Sequence, residues 1–275
     1  MGDTALADLA QAKIKLITEI TALQCELEKQ KNIVWEQSSV STRTSINKKE
    51  NHAFLNKYLQ QQKKKLCEFS FHTTGILFEN VDKLWLNDQI YKYKANVVTK
   101  AIRFHLELIL DLKDNPDFEV IDITCHFSEI KDCFMLELIP WAQLLTKKKN
   151  YALFMTAIYD YTECNLLRTK ILDRLQEDNY VSYDSGEGIG GIIISIKSPR
   201  NNEQIYAKFQ WSMKFFEETC RIEHNFTIIA TELGIEFTEQ NAMLFKKFCK
   251  ISLKKKELTE LWAELCDAID IYEAN

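Results

Sequence analysis

Apolar residues in the first 37 positions follow the alternating three-four spacing that is typical of a coiled-coil helix. The predicted seam comprises Leu9, Leu16, Ile20, Leu23, Leu27 and Val34. Lys13 and Gln30 interrupt this seam and would restrict which partner helix fits against it. At about 1.5 Å per residue the seam is about 40 Å long, which is more than a compact domain would bury against itself. We therefore predict that residues 1–37 form a coiled coil with another chain, either a second copy or a different protein.

A broader apolar face keeps one alternative open for this helix. Ile14 and Ile17 extend the apolar surface beyond the seam, so a single amphipathic helix packed on the chain's own domain would also fit the pattern. Residues 38–45 are then rich in serine and threonine, whose side chains compete for backbone hydrogen bonds. Helical spacing returns between Phe54 and Leu66. We therefore predict a linker and a lead-in helix over residues 38–66.

Strict alternation of apolar and polar residues predicts β-strands further along the chain. One run extends from Ile102 to Leu112, and a second places Ile121, Ile123, Cys125 and Phe127 on one face. Asn115-Pro116-Asp117 predicts the turn between them. Helical patterns follow over 135–145, which includes Pro140, and over 151–176.

The same order of patterns recurs about a hundred residues later. Alternating runs over 205–213 and 222–230 begin 103 and 101 residues after their counterparts, and helical patterns follow over 240–251 and 257–272. We predict an α+β fold in which each repeat is a four-stranded antiparallel meander with helices on one face. The predicted domains are 67–149 and 179–275, with a connecting helix over 150–178.

Glycines concentrate in one short stretch, Ser185-Gly186-Glu187-Gly188-Ile189-Gly190-Gly191, which matches the Gly-x-Gly-x-x-Gly dinucleotide fingerprint. A dinucleotide site requires that a helix follow the glycines, so that its N-terminal amides can bind the pyrophosphate. Here the β-branched run 192–197 follows instead, which predicts a strand. We therefore interpret the glycines as a hairpin turn that needs positive φ angles or a bulge, and we expect no cofactor.

Composition and charge argue against two classes of function, general nucleic-acid binding and membrane insertion. The chain has 275 residues and a net charge of −5, which opposes general nucleic-acid binding. Without a long apolar run or a signal-like N-terminus, we expect an intracellular protein with no membrane segment. Lysine runs at 63–65, 147–149 and 254–256 are predicted to be solvated helix ends, and whether any of them contacts DNA stays open.

Metal and catalytic chemistry have little support in the sequence. No two cysteines are spaced Cys-x-x-Cys, so we predict reduced core thiols; the eight are Cys25, Cys67, Cys125, Cys133, Cys164, Cys220, Cys249 and Cys266. Glu217 and Glu218 are adjacent at a predicted strand end or turn and would not flank one bond. Known nucleophile, phosphate-loop and metalloprotease motifs are absent from the sequence. We expect a protein that is not an enzyme and has no small-molecule substrate.

The predicted order of helix, four-stranded meander and helices resembles the RWD fold, a non-catalytic relative of ubiquitin-conjugating enzymes. The chain lacks the Tyr-Pro-x-x-x-Pro signature of that family and the His-Pro-Asn triplet of the conjugating enzymes. A coiled coil followed by two such domains resembles the inner-kinetochore subunits of the centromere protein O and P family. The similar stretches are Thr74-Gly75-Ile76, Leu153-Phe154-Met155, Tyr180, Tyr183-Asp184-Ser185-Gly186-Glu187-Gly188, Phe245, Leu258, Leu261 and Leu265-Cys266.

This resemblance implies a non-enzymatic scaffold in the nucleus, at the centromere and kinetochore. It implies a tandem-RWD partner resembling centromere protein O, further inner-kinetochore subunits, and a role in centromere assembly and chromosome segregation. Partners would associate through the seam and through faces of the RWD-like domains, and Trp211 and Trp262 would lie either at such a contact or in the core. The alternatives are an outer-kinetochore scaffold with RWD domains and an inactive relative of ubiquitin-conjugating enzymes.

Overall fold

A computed structural model describes residues 48–113, 118–128, 130–186, 188, 190–201 and 203–274, with side chains from residue 58 onward. The chain divides into two compact units, Met1–Lys63 and Lys64–Asn275. In the first unit the structure describes only part of a helix, α1 (Lys48–Thr74), which continues into the second unit. The predicted coiled coil over 1–37 and the serine-rich linker therefore lie outside the described residues.

The fold is α+β and contains two antiparallel four-stranded sheets, in agreement with the sequence prediction. The first sheet has the strand order β1-β2-β3-β4. Its strands are β1 (Leu77–Asn87), β2 (Ile90–Val98), β3 (Arg103–Leu112) and β4 (Phe118–Phe127). Alternate residues of β3 face the core because successive side chains of a strand point to opposite faces, and Phe104 and Leu106 are buried there.

The register between β3 and β4 shifts once, which the alternating pattern does not predict. Leu108 pairs with Ile123, whereas Leu110 pairs with Val120 and Leu112 with Phe118. The alternation that places Ile121 on one face with Ile123 therefore breaks at a bulge, because Val120 takes the position opposite Leu110.

Two helices follow the first sheet, and the second of them leads into the second sheet. They are α2 (Asp132–Lys147), which contains Pro140, and α3 (Tyr151–Glu177). The side chain of Asn150 caps α3 by accepting a hydrogen bond from the backbone N–H of Leu153 at 3.0 Å. The sequence prediction of a long helix over 151–176 is confirmed within one residue at its end.

The second sheet repeats the order of the first, β5-β6-β7-β8. Its strands are β5 (Val181–Asp184), β6 (Ile192–Lys197), β7 (Ile205–Phe216) and β8 (Arg221–Ala230). A 3-10 turn (Glu232–Gly234), α4 (Ile235–Gln240), α5 (Ala242–Phe248) and α6 (Lys255–Ala274) follow. The helix predicted over 240–251 is confirmed only over 242–248, and the preceding helix α4 has no counterpart in the sequence prediction. Two short helices meet at Asn241, whose side-chain amide donates to the carbonyl of Phe237 at 2.9 Å.

Two hydrophobic clusters form the core, and α3 contributes to both. Tyr161 and Ile158 lie in the cluster of the first sheet, whereas Leu172 lies in that of the second. Strand β7 also passes from one cluster to the other, because Trp211 belongs to the second and Met213 to the first. The two sheets of the second unit are therefore joined through shared elements.

Candidate partner interface

The helices that precede the two sheets have the same length but differ in burial. Both α1 and α3 contain 27 residues and lead directly into a meander. Helix α3 buries eleven of its residues. Helix α1 buries none of its residues between 58 and 74, and its apolar side chains Leu66, Phe69 and Phe71 are exposed. Among the described residues, the first repeat therefore has no counterpart to the packing of α3 in the second repeat.

In the described structure, the first sheet leaves part of its apolar face exposed at the end where the β1–β2 and β3–β4 turns lie. Cross-strand pairs place Trp85 opposite Tyr91, Tyr91 opposite Leu110, and Leu112 opposite Phe118. Trp85 is 65% exposed and Phe118 is 59% exposed. We call this surface the open face; it comprises Trp85, Tyr91, Tyr93, Leu110, Leu112 and Phe118.

The equivalent end of the second sheet is covered. Near the β7–β8 turn, Met213 is only 1% exposed and Ile222 only 3% exposed, and both lie in the cluster that includes Tyr161 of α3. The thiol of Cys164, also on α3, lies 3.8 Å from the carbonyl oxygen of Ile222. A helix therefore covers this end of the sheet in the second repeat, whereas no helix in the described part of the chain covers the open face.

The opposite face of the first sheet carries a network of charges. The amines of Lys92 and Lys94 contact the Glu107 carboxylate at 2.5 Å and 2.9 Å. Their hydrogen bonds lower the pKa of Glu107 to about 2. On the open face the amine of Lys83 lies 3.8 Å from the centre of the Tyr91 ring. The charged network therefore lies on the face of the sheet opposite to the open face.

A buried ion pair joins the two helices that follow the first sheet to strand β7. Arg168 of α3 donates two hydrogen bonds to the Glu137 carboxylate of α2, at 2.7 Å and 3.0 Å, and another to the carbonyl of Trp211 at 3.1 Å. The same carboxylate accepts from the Tyr161 hydroxyl at 2.9 Å and from the backbone N–H of Met213 at 3.0 Å. This cluster joins both helices to β7, and the sequence gives no sign of its charged members Arg168 and Glu137.

The charged groups of this cluster are buried, and their burial shifts the pKa of a neighbouring group. The side chains of Arg168 and Glu137 are 0% and 1% exposed. Burial and the neighbouring carboxylate hold the pKa of Tyr161 well above its usual value. Removing one member of a buried pair leaves an uncompensated charge, which typically costs about 3–5 kcal/mol. We assign the cluster a structural role, because it holds α2, α3 and β7 in one arrangement.

The glycine stretch forms a turn between β5 and β6, and this turn contacts α2. Gly188 and Gly191 have φ angles of +67° and +97°, so the predicted positive φ angles are confirmed. The backbone N–H of Gly191 donates to the carbonyl of Cys133 in α2 at 3.0 Å. Strand β6 follows directly after Gly191, where a dinucleotide site would need a helix.

Several residues singled out in the sequence lie in the core or in turns. Trp211 and Trp262 are buried and stacked with ring centres 5.5 Å apart, so they belong to the core and are closed to a partner. Glu217 and Glu218 lie in the turn after β7, as predicted. The lysine run 63–65 lies inside α1, so the prediction of a helix end is wrong there. The runs at 147–149 and 254–256 do lie at helix ends.

The cysteines fall into two groups. Burial raises the pKa of Cys125 to about 11 and the pKa values of Cys164 and Cys266 to about 12. Cys220 and Cys249 are exposed, and Cys67 lies on α1 outside both hydrophobic clusters, so the prediction of core thiols is wrong for these three. Cys220 lies in the turn before β8 and Cys249 directly follows α5, where neither packs into a cluster. Cys25 lies outside the described residues.

Comparisons with known proteins do not assign the chain to a family. No protein-family model matches the sequence, and no curated protein sequence matches it either. Among the described residues, no group of three or more histidine, cysteine, aspartate or glutamate side chains is arranged to hold a metal ion. Within the same ranges, every helix is too short or too polar to cross a membrane.

Proposed function

We propose that this chain is a non-enzymatic scaffold subunit of the inner kinetochore, with two RWD-like domains of the kind found in centromere protein P. It pairs with a similar tandem-RWD chain resembling centromere protein O. In this role it supports centromere assembly and chromosome segregation in the nucleus. The proposal combines the sequence resemblance with the fold of helix, four-stranded meander and helices, which occurs twice in the chain.

The open face is the observation that supports the proposed pairing with a tandem-RWD chain. A sheet that keeps Trp85 and Phe118 mostly exposed on its apolar side presents the type of surface that marks a protein interface. The second repeat indicates what covers such a surface, since α3 buries Met213 and Ile222 at the equivalent position. We infer that an apolar helix of the partner takes the corresponding place on the first sheet.

Trp85→Asp tests this contact in a pull-down with co-expressed centromere protein O. The aspartate places a charge in the apolar interface, where its desolvation is unfavourable, so we expect recovery of the partner to fall by about tenfold or more. Leu84→Asp is the matched control. Leu84 is the neighbouring residue of β1, but it pairs with Lys92 and lies on the charged face, so we expect this variant to retain the partner.

Both variants replace an exposed apolar residue in the same strand, so their folded fractions should be similar and are checked by circular dichroism. Full recovery of the partner by Trp85→Asp would show that the open face is not the contact. Failure of the unmodified chain to recover any inner-kinetochore subunit from dividing cells would overturn the proposed function itself.

The two alternatives from the sequence make different predictions. An outer-kinetochore scaffold would co-purify with outer rather than inner subunits. An inactive relative of ubiquitin-conjugating enzymes would recover no kinetochore subunit. One that keeps catalytic activity would form a thioester, for which the exposed Cys220 and Cys249 are the accessible candidates among the described cysteines. A thioester assay with ubiquitin and its activating enzyme separates this alternative from the scaffold.

A further inference from the structure

A 15-residue segment that covers the second sheet contains six lysines and no acidic residue. It runs from Ala242 to Lys256, through α5 and the turn into α6, and we call it the lysine segment. Its lysines are Lys246, Lys247, Lys250, Lys254, Lys255 and Lys256. The whole chain carries a net charge of −5, so this local excess of positive charge opposes the average composition.

The backbone of the lysine segment is held in place while its lysines point into solvent. Phe245 and Phe248 are buried in the second cluster, and all six lysines are exposed. In the turn, the Glu223 carboxylate accepts hydrogen bonds from the backbone N–H and the hydroxyl of Ser252, at 2.8 Å and 2.9 Å. A surface whose backbone is already ordered loses less conformational entropy when it binds a partner.

Three of the lysines have nearby carboxylates. Lys247 contacts Glu264 at 2.8 Å, Lys256 contacts Glu260 at 3.5 Å, and Lys250 contacts Glu257 at 4.0 Å. These pairs lie on the surface and contribute little to stability.

Lys246, Lys254 and Lys255 make no ion pair with any residue that the structure describes. Lys254 and Lys255 lie at the start of α6, where the helix dipole disfavours positive charge. The backbone N–H and the charge of Lys254 both help to lower the pKa of Glu257, whereas no described ion pair accounts for Lys246 and Lys255.

Exposed apolar side chains accompany the charges. Met243, near the start of α5, is 74% exposed, and Ile251, just after its end, is 55% exposed. Phosphate groups of a nucleic acid would gain nothing from these two side chains, whereas a protein segment with both carboxylates and apolar residues would contact both kinds of group.

We propose that the lysine segment binds an acidic, partly apolar segment of a protein partner. Carboxylates of that segment pair with Lys246, Lys254 and Lys255, and its apolar side chains cover Met243 and Ile251. The lysine segment covers the second sheet, whereas the open face belongs to the first, so this binding is separate from the proposed pairing and is tested separately.

The test is fluorescence anisotropy with the full chain and a short labelled peptide that presents glutamate and leucine at helical spacing. We expect saturable binding that weakens as sodium chloride is added, because salt screens exposed charges. Lys246→Glu, Lys254→Glu and Lys255→Glu together should weaken binding by about tenfold or more. Met243→Ser with Ile251→Ser should weaken it as well. The glutamates at the start of α6 suit the helix dipole, so the lysine variant is expected to fold.

The matched control changes three exposed lysines elsewhere, Lys65→Glu, Lys170→Glu and Lys208→Glu, and so alters the net charge equally. It should bind the peptide as the unmodified chain does if the contact is local. Absence of binding at millimolar peptide, or equal losses in the two lysine variants, would overturn the proposal. So would tighter binding of a short DNA duplex, or equal binding of a peptide whose leucines are replaced by serine.

Discussion

At the scale of single residues, His224 connects burial to a pH limit on stability. It lies on β8 inside the second sheet's core and is 6% exposed, and its Nδ1 accepts a hydrogen bond from the Trp211 indole N–H at 3.1 Å. Burial, and secondarily the charge of Arg168, lower the pKa of His224 from 6.5 to about 4. The imidazole is therefore neutral in the folded protein over most of the physiological range.

The lowered pKa predicts a specific loss of stability in acid. Between pH 6.5 and about 4 the unfolded chain binds a proton at His224 that the folded chain does not, so the free energy of unfolding falls as the pH falls through this window. The full difference is about 3 kcal/mol, since each unit of pKa corresponds to about 1.4 kcal/mol. Urea unfolding at a series of pH values measures this loss.

His224→Gln provides the control, because glutamine stays neutral and its side-chain oxygen can still accept from Trp211. The variant should lose less stability than the unmodified chain between pH 6.5 and 4. Glu107, whose pKa is lowered to about 2, loses its contribution only below about pH 4.5 and does so equally in both proteins. An identical pH dependence in the two proteins would contradict the assignment to His224.

At the scale of elements, the glycine turn between β5 and β6 can be tested with two alanine substitutions. A Cβ added at Gly191 would lie 2.5 Å from the carbonyl oxygen of Trp211, whereas one at Gly188 would meet no atom within 4 Å. Both residues have positive φ, so each alanine carries a strain of about 1–2 kcal/mol. Gly191→Ala should lose about 1–3 kcal/mol more, because the clash is with backbone.

Thermal and urea unfolding of the two variants measure this difference, with Gly188→Ala as the control for the φ strain alone. Equal destabilisation would show that only the φ angles matter at this turn. A larger loss for Gly191→Ala would show that the turn needs glycine because it passes close to β7 and Glu137.

Periodicity in the sequence predicts most of the regular elements but not their irregularities. Alternation in β3 and β7 and the long helical pattern of α3 reflect burial on one face, which a pattern records directly. The bulge in β4 and the break at Asn241 depend on contacts with other elements, so no local signal reveals them. Strands β1 and β2 have no sequence-predicted bounds, and β1 shifts register twice and leaves most of its residues exposed.

The candidate sites were less predictable than the fold for the same physical reason. Trp85 and Phe118 are residue types that are common in protein cores, and only their exposure in the described structure makes them candidates for a partner contact. Arg168 reads as an ordinary polar position of a helix, although its side chain is fully buried against Glu137. In contrast, the lysine run 254–256 is visible in the sequence. Only the structure shows that Met243 and Ile251 are exposed on the same segment.

At the scale of the whole molecule, the predicted seam and the open face are two proposed contacts with the same partner. The seam lies in residues 1–37, outside the described residues, and the open face lies on the first sheet of the unit Lys64–Asn275. Two linked contacts raise the overall affinity well above that of either contact alone, because binding at one site raises the effective concentration at the other. Disrupting only one contact should then weaken the complex strongly without unfolding the chain.

Leu16→Asp together with Leu23→Asp tests the seam. Two charges at seam positions disfavour a packed coiled coil, so we expect recovery of the tandem-RWD partner in a pull-down to fall by about a hundredfold. Thr18→Asp with Thr21→Asp adds the same charge at positions away from the seam and should retain the partner. If the helix instead packs on its own domain, the seam variant would lower the melting temperature of the isolated chain. Undiminished recovery of the partner by the leucine variant would exclude the seam as a contact.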